Sequence, residues 1–173
     1  RGSTEQRGIA LPAPGGHRFW LTLHPCEPIF TAVATITSCH ERRNTASRLS
    51  RCKTFAYGQA IQARREAQNS GADDALLLSS DGAMSCGTAA NLLIKRHGQW
   101  LTPALTSGCL PGVMRGRALA SGLAKESELA AEFKPDDQAV LINSLSCRPI
   151  AFHNGQPMAA TTAVVELWQS LLD

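Results

Sequence analysis

The spacing of apolar positions changes character several times between Leu49 and Ile94. Ala56, Ala60, Ile61, Ala63 and Ala67 recur at roughly helical intervals, with Gln62, Arg64, Arg65 and Glu66 between them. This predicts an amphipathic helix that begins just after Lys53 and stops near Asn69-Ser70-Gly71, where the glycine gives a C-terminal signal. Ala75 to Leu78 then reads as a buried strand, Ser80-Asp81-Gly82 as a tight turn, and Met84 to Ile94 as the returning strand.

The flanks carry weaker patterns. Arg1 to Gly16 reads as a strand or loop with two Arg-Gly pairs. Phe19 to Leu23 alternates like a strand, and Ala32 to Thr37 is a second one rich in β-branched residues. His40 to Asn44 reads as a charged loop. Lys95 to Gln99 reads as a hairpin turn, with Trp100 to Thr102 returning and Pro103 ending that strand. Val113 to Leu123 is expected to be helical, although Gly116 weakens it. A short surface helix is expected over Glu128 to Phe133 and strands over Ala139 to Ile142 and Ile150 to Phe152. A turn at His153-Asn154-Gly155 and a closing helix from Ala163 to Leu172 complete the reading.

Composition narrows the function classes only modestly. The 173 residues can bury one substantial core, and their net charge of +3 gives little support for nucleic-acid binding. No apolar run is long enough to span a bilayer, and the first residues lack a basic-then-apolar leader, so neither a membrane nor a nucleic-acid partner is expected. The six cysteines show no C-x-x-C pair and no histidine at zinc-ligand spacing. Free thiols in a reducing cytoplasm and no metal site are the expectation. His40 reads as a surface residue, and no histidine falls in a nucleophile motif.

Lys53 is the one lysine between Leu49 and Ile94, and the pattern puts it where rigid elements would present an amine to one side of a sheet. Thr106 to Gly112 is a loop of small residues feeding the helix predicted from Val113. Free N–H groups and the dipole make such a helix start suitable for an anion. The order of phrases adds a resemblance. Lys53-Thr54, Arg64-x-Glu66-Ala67, Gly71-Ala72-Asp73-Asp74-Ala75-Leu76, Asp81-Gly82 and Gly87-Thr88-Ala89-Ala90-Asn91-Leu92 come in sequence. They are followed by Leu110-Pro111-Gly112-Val113-Met114-Arg115, Asn143-Ser144-Leu145 and Pro149-Ile150. Together they resemble the fold-type IV, or class IV, pyridoxal-phosphate aminotransferases, most of all the aminodeoxychorismate-lyase-like branch.

That resemblance implies an α/β fold, a curved, barrel-like mixed sheet flanked by helices, normally working as a homodimer. It implies one cofactor-binding domain over the whole chain, corresponding to the family's large C-terminal domain, with the small N-terminal domain absent. The cofactor would be pyridoxal 5'-phosphate. Lys53 would condense with its aldehyde and then move the Cα proton as base and acid. Backbone around Gly112, Val113 and Met114, with Asn143 and the Ser144 hydroxyl, would hold the phosphate. Leu110 matches the position that packs on the ring face, and Tyr57 could reach the ring 3-oxygen or be an ordinary core tyrosine.

The sequence departs from the family at one position. The glutamate that pairs with the pyridine nitrogen is replaced by Cys86, whose neutral thiol makes the ring a poorer electron sink. That favours elimination over amino-group transfer. The expected activity is release of pyruvate from 4-amino-4-deoxychorismate to give 4-aminobenzoate, within folate biosynthesis. The rivals are an aminotransferase for D-amino or branched-chain amino acids and a non-catalytic relative that binds no cofactor.

Overall fold

A computed structural model describes residues 14–15 and 19–172; the Arg1–Gly16 reading otherwise lies outside the described residues. Among the described residues nine strands belong to a single mixed sheet: β1 Val33–Arg43, β2 Asp74–Ser79, β3 Met84–Gly87, β4 Asn91–Arg96, β5 Gln99–Pro103, β6 Ala124–Ser127, β7 Gln138–Asn143, β8 Ser146–His153 and β9 Gln156–Pro157. Three helices flank it: α1 Gly58–Asn69, α2 Val113–Ala120 and α3 Val164–Gln169. The pairing order β3-β2-β1-β8-β7-β4 closes on itself because β3 also pairs with β4, through Cys86 and Asn91. The result is a six-stranded barrel, with β5 and β6 continuing outward from β4 and β9 added to β8.

Period-two alternation sorts the side chains of this barrel into an inside and an outside. Leu76, Leu78, Leu92, Ile94, Leu141, Ile150 and Val33 share one cluster, the barrel interior. The alternate residues Leu93, Val140, Ile142 and Cys147 turn outward and are covered by Met114 and Ala118 of α2 and by Trp168 of α3. On β2 the outward residues Ala75 and Leu77 meet Ala63 and Ala67 of α1. Every residue of β2 is therefore buried, as expected for a strand covered on both faces.

α1 ends as its sequence predicts. Gly71 adopts a left-handed φ of 74°, and the N–H groups of Ala72 and Gly71 return to the carbonyls of Ala67 and Gln68. Its start lies at Gly58 and not directly after Lys53.

Four further expectations are corrected. Phe19 to Leu23 forms no strand, and Phe19, Trp20, Leu21 and Leu23 are exposed. His40 to Arg43 is strand, not loop, because Arg42 and Arg43 pair with Leu78 and Ser79 of β2. Met84 to Ile94 is broken at Thr88–Ala90, where the Gly87 N–H donates to the Ala90 carbonyl and the chain reverses between β3 and β4. Glu128 to Phe133 is not helical. Leu129 is buried in the barrel interior, and its carbonyl accepts from the Met84 N–H at 2.8 Å, so tertiary pairing overrides a local helix preference.

Candidate functional site

One end of the barrel opens into a cavity of about 720 Å³. Four segments line it. The first runs on from β1, from Arg43 through a 3-10 turn at Arg48–Arg51 to Tyr57 and the first turns of α1. The others are the β3–β4 reversal, the loop Leu110–Val113 and the β7–β8 turn Asn143–Leu145. These segments come from four parts of the chain, so the cavity depends on closure of the barrel.

Lys53 lies in the loop between the 3-10 turn and α1, exposed, with its Nζ donating to the Tyr57 hydroxyl at 2.9 Å. The loop carrying it is tied down upstream. Ser47 caps the 3-10 turn by accepting from the Leu49 N–H, and the Ser50 hydroxyl donates to the Asn44 carbonyl at 2.7 Å. Arg43 donates through Nε to the Gly108 carbonyl at 2.9 Å and through a terminal nitrogen to the Ser50 carbonyl at 2.7 Å. A single guanidinium thereby joins the lysine loop to the chain that leads into α2.

Gly112 caps α2 with no side-chain hydrogen bond. The first-turn N–H groups of a helix have no intrahelical acceptor, so this start offers donors to the cavity. Asn91 fixes the approach: its Nδ2 donates to the Leu110 carbonyl at 2.8 Å, and a Cβ on residue 112 would collide with its Oδ1. Opposite, Asn143 donates to the Ala89 carbonyl at 3.1 Å and accepts from the Leu145 N–H and the Ser146 hydroxyl. It binds the β7–β8 turn, which presents exposed Ser144, to the β3–β4 reversal.

The cavity brings together Lys53, Tyr57, Cys86, Leu110, Gly112, Val113, Asn143 and Ser144. Met114 is not among its lining residues: its side chain is buried in the core, so only backbone there can serve the cavity. Cys86 is buried, and burial pushes its thiol up to about 11, so it is neutral at ordinary pH. Beside it, Thr88 donates to Asp74 at 2.6 Å and accepts from Arg64 at 2.8 Å; Arg64 also pairs with Asp74 at 2.8 Å. This triad locks the β3–β4 reversal to α1 and β2.

Arg43, Arg51, Thr88 and Asn91 line the cavity without having been singled out from the sequence. The Gly87-Thr88-Ala89-Ala90-Asn91 phrase was a usable signal for two of them. Arg43 gave none, because its charged neighbourhood looked like a solvated loop.

A barrel with a cavity at its mouth, holding an amine across from an uncapped helix start, defines a ligand-binding domain of mixed α/β type. A family model described as amino-transferase class IV matches residues 1–151, and the chain belongs to that family. A Schizosaccharomyces pombe protein named "Putative aminodeoxychorismate lyase" is 36% identical over 85 residues, covering 47% of this chain and 37% of that protein. A probable branched-chain-amino-acid aminotransferase of Aquifex aeolicus is 35% identical over 80 residues, covering 46% of this chain and 25% of that one. Among solved structures, "Putative 4-amino-4-deoxychorismate lyase" of Legionella pneumophila has a TM-score of 0.74 at 26% identity, covering 84% of this chain and 57% of that chain. The branched-chain aminotransferase of Thermobaculum terrenum in its PLP form has a TM-score of 0.73 at 24% identity, covering 83% and 50%, a likeness of fold alone. The chain spans about half the length of these solved relatives, and the matched stretches cover well under half of the curated ones.

Proposed function

We propose that this chain is the cofactor-holding part of a pyridoxal-phosphate-dependent lyase that releases pyruvate from 4-amino-4-deoxychorismate to leave 4-aminobenzoate. The observation that carries the reading is the gathering of the Lys53 amine, the uncapped start of α2 and the Asn143–Ser144 turn around one cavity. The donor set fits the cofactor at two ends. Gly112, where a Cβ would strike Asn91, keeps the α2 N–H groups open to a phosphate, and Lys53 is within reach of the same space. When bound, the cofactor supplies an aldehyde that condenses with amines and a ring that draws electron density from the substrate carbon.

The residues then divide the work. Lys53 Nζ carries the proton to and from the substrate Cα, and Tyr57, bonded to it at 2.9 Å, orients that nitrogen. The backbone of Gly112 and Val113, with the Ser144 hydroxyl, holds the anionic end. Leu110, which lines the cavity, would pack on the ring. Cys86 would offer the pyridine nitrogen a neutral thiol and no carboxylate, which would lessen electron withdrawal and favour loss of a good leaving group over amino-group transfer.

The test is an absorption spectrum with and without added pyridoxal phosphate. A visible band that borohydride removes, and that Lys53→Ala lacks, is the expected result. Absence of that band in the unaltered protein would mean a non-catalytic relative. Product analysis separates the remaining readings: pyruvate plus an aromatic amine for the lyase, a keto acid plus aminated cofactor for an aminotransferase. Branched-chain aminotransferases among the relatives keep the second reading in play. Homodimerisation, with the cavity near the interface, belongs to the same proposal.

A further inference from the structure

The described residues lining the cavity include Arg43, Arg51 and Lys53 but no aspartate, glutamate or histidine. Each cation has a different commitment. Arg43 is locked by the Gly108 and Ser50 carbonyls, and Lys53 is bonded to Tyr57. Arg51 makes no side-chain hydrogen bond or ion pair among the described residues, since the three ion pairs are Arg64–Asp74, Arg96–Asp137 and Arg115–Glu126.

Its backbone is nevertheless well fixed. Arg51 ends the 3-10 turn whose Ser50 is buried and held by Asn44 and Arg43, two residues before Lys53. An arginine on an anchored turn that lines a cavity without carboxylates among the described residues suits two-point recognition of a planar anion. The phosphate end already has donors in the first turn of α2 and the Asn143–Ser144 turn, which leaves Arg51 for a different anionic group.

We propose that Arg51 reads a carboxylate on the substrate, so that the cavity selects amino compounds carrying a second anionic group over those with apolar side chains. This deepens the lyase reading and rests on it for the identity of the substrate, because 4-amino-4-deoxychorismate carries two carboxylates. The recognition step itself needs only the cations of this chain.

Calorimetric titration of the protein, both loaded with pyridoxal phosphate and without it, tests the idea with two probes. Chorismate is a dicarboxylate lacking the amine, and 4-methyl-2-oxopentanoate is an apolar monocarboxylate. Chorismate is expected to bind at least about ten-fold more tightly, and R51Q should remove that preference while changing monocarboxylate affinity less than about two-fold. R51K, which keeps the charge but loses the planar fork, should fall between. Equal affinity for the two probes, or a preference that survives R51Q, would overturn the inference. Failure of the cofactor reading is seen separately, as no visible band in the loaded sample, and the titration without cofactor still decides the role of Arg51.

Discussion

The side-chain oxygen of Asn91 occupies the space that a Cβ on Gly112 would need, while the same side chain donates to the Leu110 carbonyl at 2.8 Å. The φ of Gly112 is −68°, open to any residue, so close approach and not backbone freedom demands glycine here. G112A should push Asn91 aside, break its bond to Leu110 and tilt the start of α2. We expect a loss of stability of about 1–3 kcal/mol, typical of overpacking, and about ten-fold or more weaker capture of pyridoxal phosphate. Denaturant unfolding and titration of the visible band measure the two effects. Wild-type cofactor affinity in this variant would show that the Asn91 contact does not set the loop.

Asp74 is the acceptor around which three segments meet. It takes bonds from Arg64, the Thr88 hydroxyl, the Thr88 N–H and the Ala75 N–H, and it is buried, whereas the Arg64 side chain is 43% exposed. Removing the carboxylate strands the buried Thr88 and Ala75 donors, while Arg64 can turn to water. D74A should therefore cost roughly 3 kcal/mol, and R64A less, because Asp74 keeps its three other donors. Equal losses in the two variants by denaturant unfolding would contradict this ordering.

The elements that were legible in the sequence are those whose burial pattern is local. β2 carries an unbroken apolar run from Ala75 to Leu78, α1 ends at a glycine with the required left-handed geometry, and the His97-Gly98 and Asn154-Gly155 turns each hold two positive-φ residues. The readings that failed concern residues whose role comes from distant partners. Arg42 and Arg43 look solvated until β2 pairs with them, and Leu129 looks helical until Met84 claims its carbonyl. The break at Thr88–Ala90 is set by barrel closure and by Asp74, neither visible in a local window. Lys53 and the Gly112 loop stand out in the sequence as candidate positions, and the structure puts both at the cavity. Arg51 did not, since an isolated arginine shows its lack of a partner only in three dimensions.

The six thiols should divide evenly by access. Cys26, Cys39 and Cys52 are exposed, whereas Cys86, Cys109 and Cys147 are buried. Burial holds the Cys86 thiol at about 11 and the Cys147 thiol at about 12, so little reactive thiolate forms at those sites near pH 8. A disulfide-exchange reagent at that pH should consume three thiols quickly in the native protein and all six in denaturant. Bound pyridoxal phosphate should slow Cys52 alone of the fast group, because it lines the cavity. Six fast thiols in the native protein would mean that the barrel mouth opens far more readily than its packing implies.

His153 should make stability depend on pH in a defined window. Its ring is buried between Thr35 and Thr37, with Nδ1 3.0 Å from one hydroxyl and Nε2 3.1 Å from the other, and Phe133 stands edge-on against it. Among the described residues Asn154 is its remaining hydrogen-bond partner, at 3.2 Å from Nε2, and no carboxylate there bonds the ring to compensate a proton on it. Burial lowers its pKa from 6.5 to about 4. Above pH 6.5 folded and unfolded chains both carry a neutral ring. Between 6.5 and 4 the unfolded chain takes up a proton that the folded one refuses, so stability falls as the pH falls, and the loss is complete below about 4. Denaturation midpoints at pH 7, 5.5 and 4.5 should decline in the wild type more steeply than in H153Q, whose side chain can still bond the two threonines but does not titrate. Parallel declines in the two proteins would assign the acid sensitivity to other groups.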